Sequence, residues 1–274
     1  MRLPILCWTS LLLLAGAVHG GENDSAPSTK PERPFTPGGV WRTGDKARPK
    51  PRIIDPGKPE DCDGSARAPS DAVVLIGFRE GQDTLDLSAW QMRPRTPKGA
   101  PLTEPTWKID TDFVEVVSGS GSLLSKEKFG DCQIHVEWAT PYEPRGNGQE
   151  RGNSGVSLTG HAEIQILDSF ENETYADGQA AALYHKFPPL VNASKKPGEW
   201  QSFDIVFFAP RFDEHDADKV VEPARITLFH NGILVHHAAE TEGTTREIQL
   251  VLQDHLNPVR FRNVWVRRLA GYDQ

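Results

Sequence analysis

The stretch Cys132-Gln133-Ile134-His135-Val136-Glu137-Trp138 alternates without a break between apolar and polar side chains. A β-strand turns successive side chains to opposite faces, so Cys132, Ile134, Val136 and Trp138 share a face suited to a core. Gln133, His135 and Glu137 share the other. A helix would need its apolar residues every three to four positions, and this stretch does not supply them.

Working outward, short β-branched and aromatic runs recur at 73–76, 113–117, 155–158, 163–167, 203–208, 225–229, 233–236, 248–253 and 259–266, with clusters of Gly, Pro and Asn between them. Many short strands separated by turn residues are the pattern of an antiparallel sandwich, so the fold class expected is all-β, and no long helix is expected. His230-Asn231-Gly232 predicts a tight hairpin, because Asn-Gly tolerates the positive φ angles of its turn. The segment 177–197 reads as a long connection of small residues and prolines, a length at which loops in compact domains are often functional.

At the other end, Arg2 followed by the apolar stretch Leu3 to Val18 and small residues up to Gly20 reads as a secretory signal peptide over residues 1–20. The expected location is therefore secreted or periplasmic. No later segment is long and apolar enough to span a bilayer, so no membrane anchor is expected after cleavage. Residues 21–70 are rich in Pro and charged groups and read as a linker or a tail draped over the domain, with Trp41 and Ile53-Ile54 as local docking points. The folded domain is expected over residues 71–270. An oxidising compartment permits a Cys62–Cys132 disulfide; the alternative is that Cys132 packs as a small hydrophobe on its strand's apolar face.

A formal net charge of -8 argues against binding to nucleic acid, which calls for a basic face. An uncharged carbohydrate fits better. Glu163 and Gln165 fall on one face of their strand and Ile164 and Ile166 on the other, while Gln253 and His255 fall opposite Leu250 and Leu252. If these strands and the one through Glu137 share a sheet, their polar faces merge into a single surface of Glu, Gln and His. Gly152-Asn153-Ser154-Gly155 offers close backbone approach and hydroxyl-binding groups, and Tyr184-His185 would place a phenol and an imidazole at the rim. His230, His236 and His237 suggest metal binding only weakly, since adjacent strand residues point apart.

Glu163-Ile164-Gln165-Ile166-Leu167-Asp168 resembles the Glu-x-Asp-x-x-Glu strand of retaining β-glucanases of the laminarinase type, but Gln165 replaces the middle acid and Asp168 is shorter than Glu. Retaining hydrolysis needs carboxyls about 5 to 5.5 Å apart, which the shorter acid puts in doubt. A second resemblance rests on ordered blocks: Gly130-Asp131 leading into Gln133-Ile-His-Val-Glu-Trp138, then Gly152-Asn153-Ser154-Gly155-Val156, Glu163 to Ser169, Pro188-Pro189-Leu190-Val191-Asn192-Ala193-Ser194, Gly198-Glu199-Trp200-Gln201, Leu252-Gln253-Asp254-His255 and Val259 to Val264. On these blocks the chain is identified as a member of the 3-keto-disaccharide hydrolase domain family.

That resemblance implies a concanavalin A-like jelly-roll β-sandwich of two antiparallel sheets, with a carbohydrate site on the concave sheet. It implies cleavage of 3-keto-glycosides or disaccharides by proton transfer. The C3 ketone acidifies the C2 proton, a base removes it, the C1 oxygen leaves, and water adds back. A base, an acid and a group that polarises the ketone are required. Some relatives are expected to use a divalent cation for the last role. By position, His255, Glu163 and Asp168 are the candidate catalytic residues, and Gln165, Asn153, Tyr184, Gln253 and Glu137 the candidate substrate-binding residues. A non-catalytic, lectin-like carbohydrate-binding module and a conventional glycoside hydrolase stand as alternatives on the same fold.

Overall fold

A computed structural model describes residues 33–36, 41–50, 52–53, 68–78, 84–97 and 99–269. Two antiparallel sheets face each other. The larger has eight strands in the order Ile233–Thr241, Ala224–His230, Gln201–Phe208, Cys132–Ala139, Arg260–Arg268, Val114–Glu115 and Lys108–Ile109, with Ala72–Ile76 also paired to Arg260–Arg268. The smaller has five, in the order Trp90–Arg93, Ser122–Ser125, Leu250–Leu252, Ser154–Leu158 and Ala162–Ile166. The architecture is an all-β jelly-roll sandwich, and each strand run expected from the sequence overlaps a strand.

The alternation of the Cys132–Ala139 strand builds the core. Ile134 and Val136 stand opposite Ile205 and Phe203 of the neighbouring strand, and all four are fully buried. Across the sandwich they meet Val156, Ile164, Ile166, Leu250 and Leu252 from the five-stranded sheet. Trp138 packs on Phe203 at 5.1 Å and on His230 at 5.7 Å between ring centroids. Burial of such side chains contributes about 1.5 to 3 kcal/mol each, so the core dominates stability. At the hairpin, Asn231 and Gly232 have φ of 52° and 78°, the turn geometry the Asn-Gly pair favours.

Trp90–Arg93 and Ser122–Ser125 carry no strand in the sequence reading. Each is four residues long, too short for alternation to stand out, and it is pairing that defines them: Met92 opposes Leu123 and Gln91 opposes Leu124.

The 177–197 connection is tied to the sheet. Gln165 N–H donates to Ala182 O, Ala181 N–H to Gln165 O and Tyr184 N–H to Glu163 O, so the loop covers the exposed edge of the Ala162–Ile166 strand. Part of the stretch before the domain also lies against it. The Arg48 guanidinium is 3.7 Å from Asp177, Lys50 is 2.9 Å from Glu173, and Arg52–Ile53 pairs in parallel with Val191–Asn192. Ile53 docks by its backbone, with its side chain 69% exposed. Ile54, Cys62 and residues 1–20 lie outside the described residues. Cys132 is a free thiol, wholly buried, and burial pushes its pKa up to about 12. No helix among the described residues is long and apolar enough to cross a membrane.

Candidate active site

Pairing of Ser154–Leu158 with Ala162–Ile166 sets Glu163 opposite Ser157 and Gln165 opposite Gly155. Since Ile164 and Ile166 fill the core, Glu163 and Gln165 turn to the outer face of the five-stranded sheet. Gln253 reaches that face from the end of the Leu250–Leu252 strand, its N–H bonded to Gly155 O. Its side-chain amide donates to both Glu163 carboxylate oxygens at 3.2 Å. Burial raises the pKa of Glu163, and the Gln253 and Ser157 hydrogen bonds only partly offset this. The carboxyl has room because residue 155 is glycine: a Cβ there would meet Glu163 Oε1 at 2.7 Å.

Beside it lies an amide network. Gln165 donates to Gln149 Oε1 at 3.0 Å and to Asn153 Oδ1 at 3.4 Å, Asn153 donates to Gln149 O at 2.6 Å, and Gln149 donates to Gly178 O at 2.7 Å. Gln165 and Asn153 are buried, so their donors fix loops instead of facing solvent. Gln165 Oε1 and Gln253 Oε1 are buried without a partner among the described residues. Gln149 joins both loops, yet nothing in its sequence neighbourhood marks it out.

Tyr184 and Tyr175 share a hydrogen bond of 2.7 Å between hydroxyls, and Tyr184 stacks on His185 with centroids 4.0 Å apart. Burial, then the Tyr184 hydroxyl, raises the Tyr175 pKa, and burial lowers that of His185 against the pull of Asp177. The Tyr175 phenol and the His185 imidazole are therefore both neutral near pH 7. Asp177 is fully buried, with Gly44 N–H at 3.4 Å and Arg48 at 3.7 Å on one oxygen and, among the described residues, no hydrogen bond to the other.

Asp168 and His255 meet elsewhere. Both line a cavity of 610 Å³ formed between the 140–152 and 254–258 segments. Asp168 is held by Arg151 Nε at 2.7 Å and by Phe170 N–H at 3.2 Å. His255 is exposed, and its ring makes no hydrogen bond among the described residues. The expected face-sharing of Gln253 with His255 fails because the strand ends at Leu252. Asp254 then takes Gly121 N–H on one oxygen and Leu256 N–H on the other, each at 2.9 Å, and this turns the chain away from the sheet. Glu163 and His255 are thus not hydrogen-bonded partners. The two places adjoin through one step of chain: Gly152 lines the cavity and Asn153 joins the network on the sheet.

Glu137 does not belong to this surface. Its strand lies in the eight-stranded sheet, so its side chain emerges on the opposite outside of the sandwich, held by Arg262 Nε at 2.6 Å and Asn263 Nδ2 at 2.8 Å. The single merged polar face expected from the alternation is really two faces, back to back across the core.

The residues present do not form an evident cation site. Glu163 is occupied by Gln253 and Asp168 by Arg151, and among the described residues no three His, Cys, Asp or Glu side chains are grouped to hold an ion. His230 and His236 are buried apart from the site, their Nε2–H groups donating to Gln201 Oε1 and Ala181 O.

Comparison with known proteins gives the family and the fold. The model of the 3-keto-alpha-glucoside-1,2-lyase-like domain matches residues 77–267. A protein of Parabacteroides distasonis ATCC 8503, assigned as a glycosyl hydrolase, superposes with a TM-score of 0.63 at 35% identity over 74% of this chain and 85% of its own. A second protein from that organism, with the same assignment, shares the fold at TM-score 0.51 and 16% identity over 79% of this chain and 100% of its own. No curated protein matches. With a family model over more than half of the chain and a relative at that identity, the chain belongs to the 3-keto-disaccharide hydrolase (3-keto-α-glucoside-1,2-lyase-like) domain family.

Proposed function

We propose that this is an exported carbohydrate-active enzyme that cleaves 3-keto-glycosides, with the sugar lying on the outer face of the five-stranded sheet. The observation that carries the reading is Glu163, a desolvated carboxyl with a raised pKa, steered by a single amide donor and set over a glycine. A base for carbon acids works best when its pKa lies near the operating pH, and burial moves Glu163 in that direction. Glu163 takes the proton from C2, the C2–H electron pair becomes the second bond between C1 and C2, and the C1 oxygen departs with the electrons of its bond to C1. Water then adds across the double bond, protonating C2 and placing hydroxyl on C1. We assign protonation of the departing oxygen to His255, at the cavity beside the sheet face. Asp168 positions Arg151 and the cavity wall, and Tyr184 supplies a hydroxyl near the sugar. No step is routed through a cation.

The decisive experiment incubates the pure protein with a glucoside and its 3-keto derivative, with and without chelator. Cleavage of the keto form alone supports the proposal. Cleavage of both supports a conventional hydrolase, and binding without cleavage of either supports a carbohydrate-binding module.

A further inference from the structure

Residues 41–50 precede the family domain in the chain, yet they clasp the loop that carries Tyr184. Gly44 N–H and the Arg48 guanidinium reach Asp177 at 3.4 and 3.7 Å, and Arg48 also donates to Lys186 O at 3.3 Å. Arg48 is buried, so this is an enclosed contact and not a surface ion pair. It fixes the loop at 177 and at 186, before and after Tyr184 and His185 in the chain. The sheet fixes the same loop at 181, 182 and 184, through Gln165 and Glu163.

What the clasp holds is strained. Ala181 and His185 have φ of 68° and 59°, in the left-handed region that costs energy for a residue with a Cβ. Such conformations persist where surrounding contacts over-determine them, and they gather at functional sites. His185 N–H donates to Asp177 O at 3.0 Å, and its ring stacks on Tyr184, whose hydroxyl meets that of Tyr175. Tyr175 lies so close to Gly178 that a Cβ there would stand 2.1 Å from its ring. All three rings remain half-buried and so open to a ligand.

We infer that Arg48 is a positioning residue of the active site: through Asp177 and Lys186 O it holds the Tyr184 hydroxyl where the sugar binds. The inference rests on the proposed placement of the sugar on the outer face of the five-stranded sheet. It extends the working enzyme beyond the family domain, to the stretch that precedes it.

The test measures KM and kcat on a 3-keto-glucoside for the native protein, Arg48→Ala, Tyr184→Phe and the double variant, at a temperature where all are folded. A hydroxyl that binds the sugar alike in ground and transition states shows in KM. Each single variant should raise KM about tenfold with kcat held, roughly the worth of one hydrogen bond, and the double variant should be no worse than either. Loss of folded protein alone would lower kcat and leave KM; that result, or additive effects in the double variant, overturns the inference. Hydrogen exchange gives a readout without chemistry: in Arg48→Ala the amides of 177–187 should speed up more than those of Cys132–Ala139, and equal changes overturn the inference. If the native protein cleaves neither a glucoside nor its 3-keto derivative, the reaction is refuted, and calorimetric binding of methyl glucoside then decides. Weaker binding to Arg48→Ala upholds the positioning role, and equal binding overturns it.

Discussion

Gly155 lies directly beneath the carboxyl of Glu163, so close that a methyl group on it would stand 2.7 Å from Oε1. The backbone there is ordinary strand, and space alone requires glycine. Gly155→Ala should push the carboxyl off Gln253 and lower kcat on a 3-keto-glucoside with little change in fold, checked by kinetics beside circular dichroism. Glu163→Gln should lower kcat by about 100-fold or more, the contribution of a positioned base. An unchanged rate in Glu163→Gln would remove Glu163 from the mechanism.

The pH dependence of the same carboxyl has a definite sign. Its pKa is raised in the folded protein, so its contribution to stability is full below the ordinary glutamate range and is lost as pH rises through the raised value. Ionised Glu163 therefore costs stability near neutrality while supplying the basic form that catalysis needs. Glu163→Gln should melt at a higher temperature than the native protein at pH 7, and the gap should close toward pH 4.

On the other outside of the sandwich, His135 Nδ1 lies 2.6 Å from Asp204, Nε2 lies 3.6 Å from Glu137, and the ring stacks on Trp265. Burial disfavours the charged ring, but the hydrogen bond to Asp204 and the nearby Glu137 carboxylate, with the charges of both, override it and raise its pKa to about 9. For Glu137, burial is likewise overcome by His135, Asn263 and Arg262, which bring it down to about 2. His135 thus adds stability that is full below about pH 6.5 and lost as pH rises through about 9. Because Asp204 is 37% exposed on its side chain, solvent screening limits the effect to about 1 to 2 kcal/mol. Thermal melts of His135→Gln should show little of the decline that the native protein shows between pH 7 and pH 10.

Arg48 and Asp177 join the stretch before the domain to the loop that carries Tyr184. Removing Arg48 leaves a fully buried carboxyl group with, among the described residues, only the distant Gly44 N–H, which should cost at least about 2 kcal/mol. Arg48→Ala should lower the unfolding midpoint in urea, and Asp177→Asn should restore part of it in the double variant. If Arg48→Ala melts like the native protein, this contact is superficial.

The sheets were readable from the sequence because alternation over five or more residues is a strong signal, as in Cys132–Ala139, and because the Asn231-Gly232 turn fixes its own register. What alternation does not carry is the assignment of strands to sheets. Glu137 and Glu163 each sit on a polar strand face, and only the order of strands shows those faces pointing away from each other. The separation of His255 from Glu163 was hidden for a different reason: it depends on Asp254 capping a turn, through hydrogen bonds to Gly121 and Leu256 that no local pattern announces. Gln149 went unseen because its role lies wholly in long-range contacts.

His230 and His236 give the last prediction, and it concerns acid. Both are buried and neutral: His230 stacks on Trp138 and shares a hydrogen bond with Gln201, and His236 Nε2 donates to Ala181 O at 2.8 Å. Burial, helped by Lys195, lowers the His230 pKa to about 3, and burial lowers that of His236 to about 4 in spite of the Ala181 carbonyl. Their stabilising contribution is present above the unfolded histidine value of about 6.5 and is lost as pH falls toward the folded values, at about 1.4 kcal/mol per pH unit for each ring. Two rings losing stability together should make the native protein far less stable at pH 4.5 than at pH 7. His236→Asn keeps a donor for Ala181 O and cannot protonate, so its urea midpoint should decline less steeply over that interval. Parallel declines in the two proteins would show that His236 titrates alike in the folded and the unfolded chain, and would overturn the prediction.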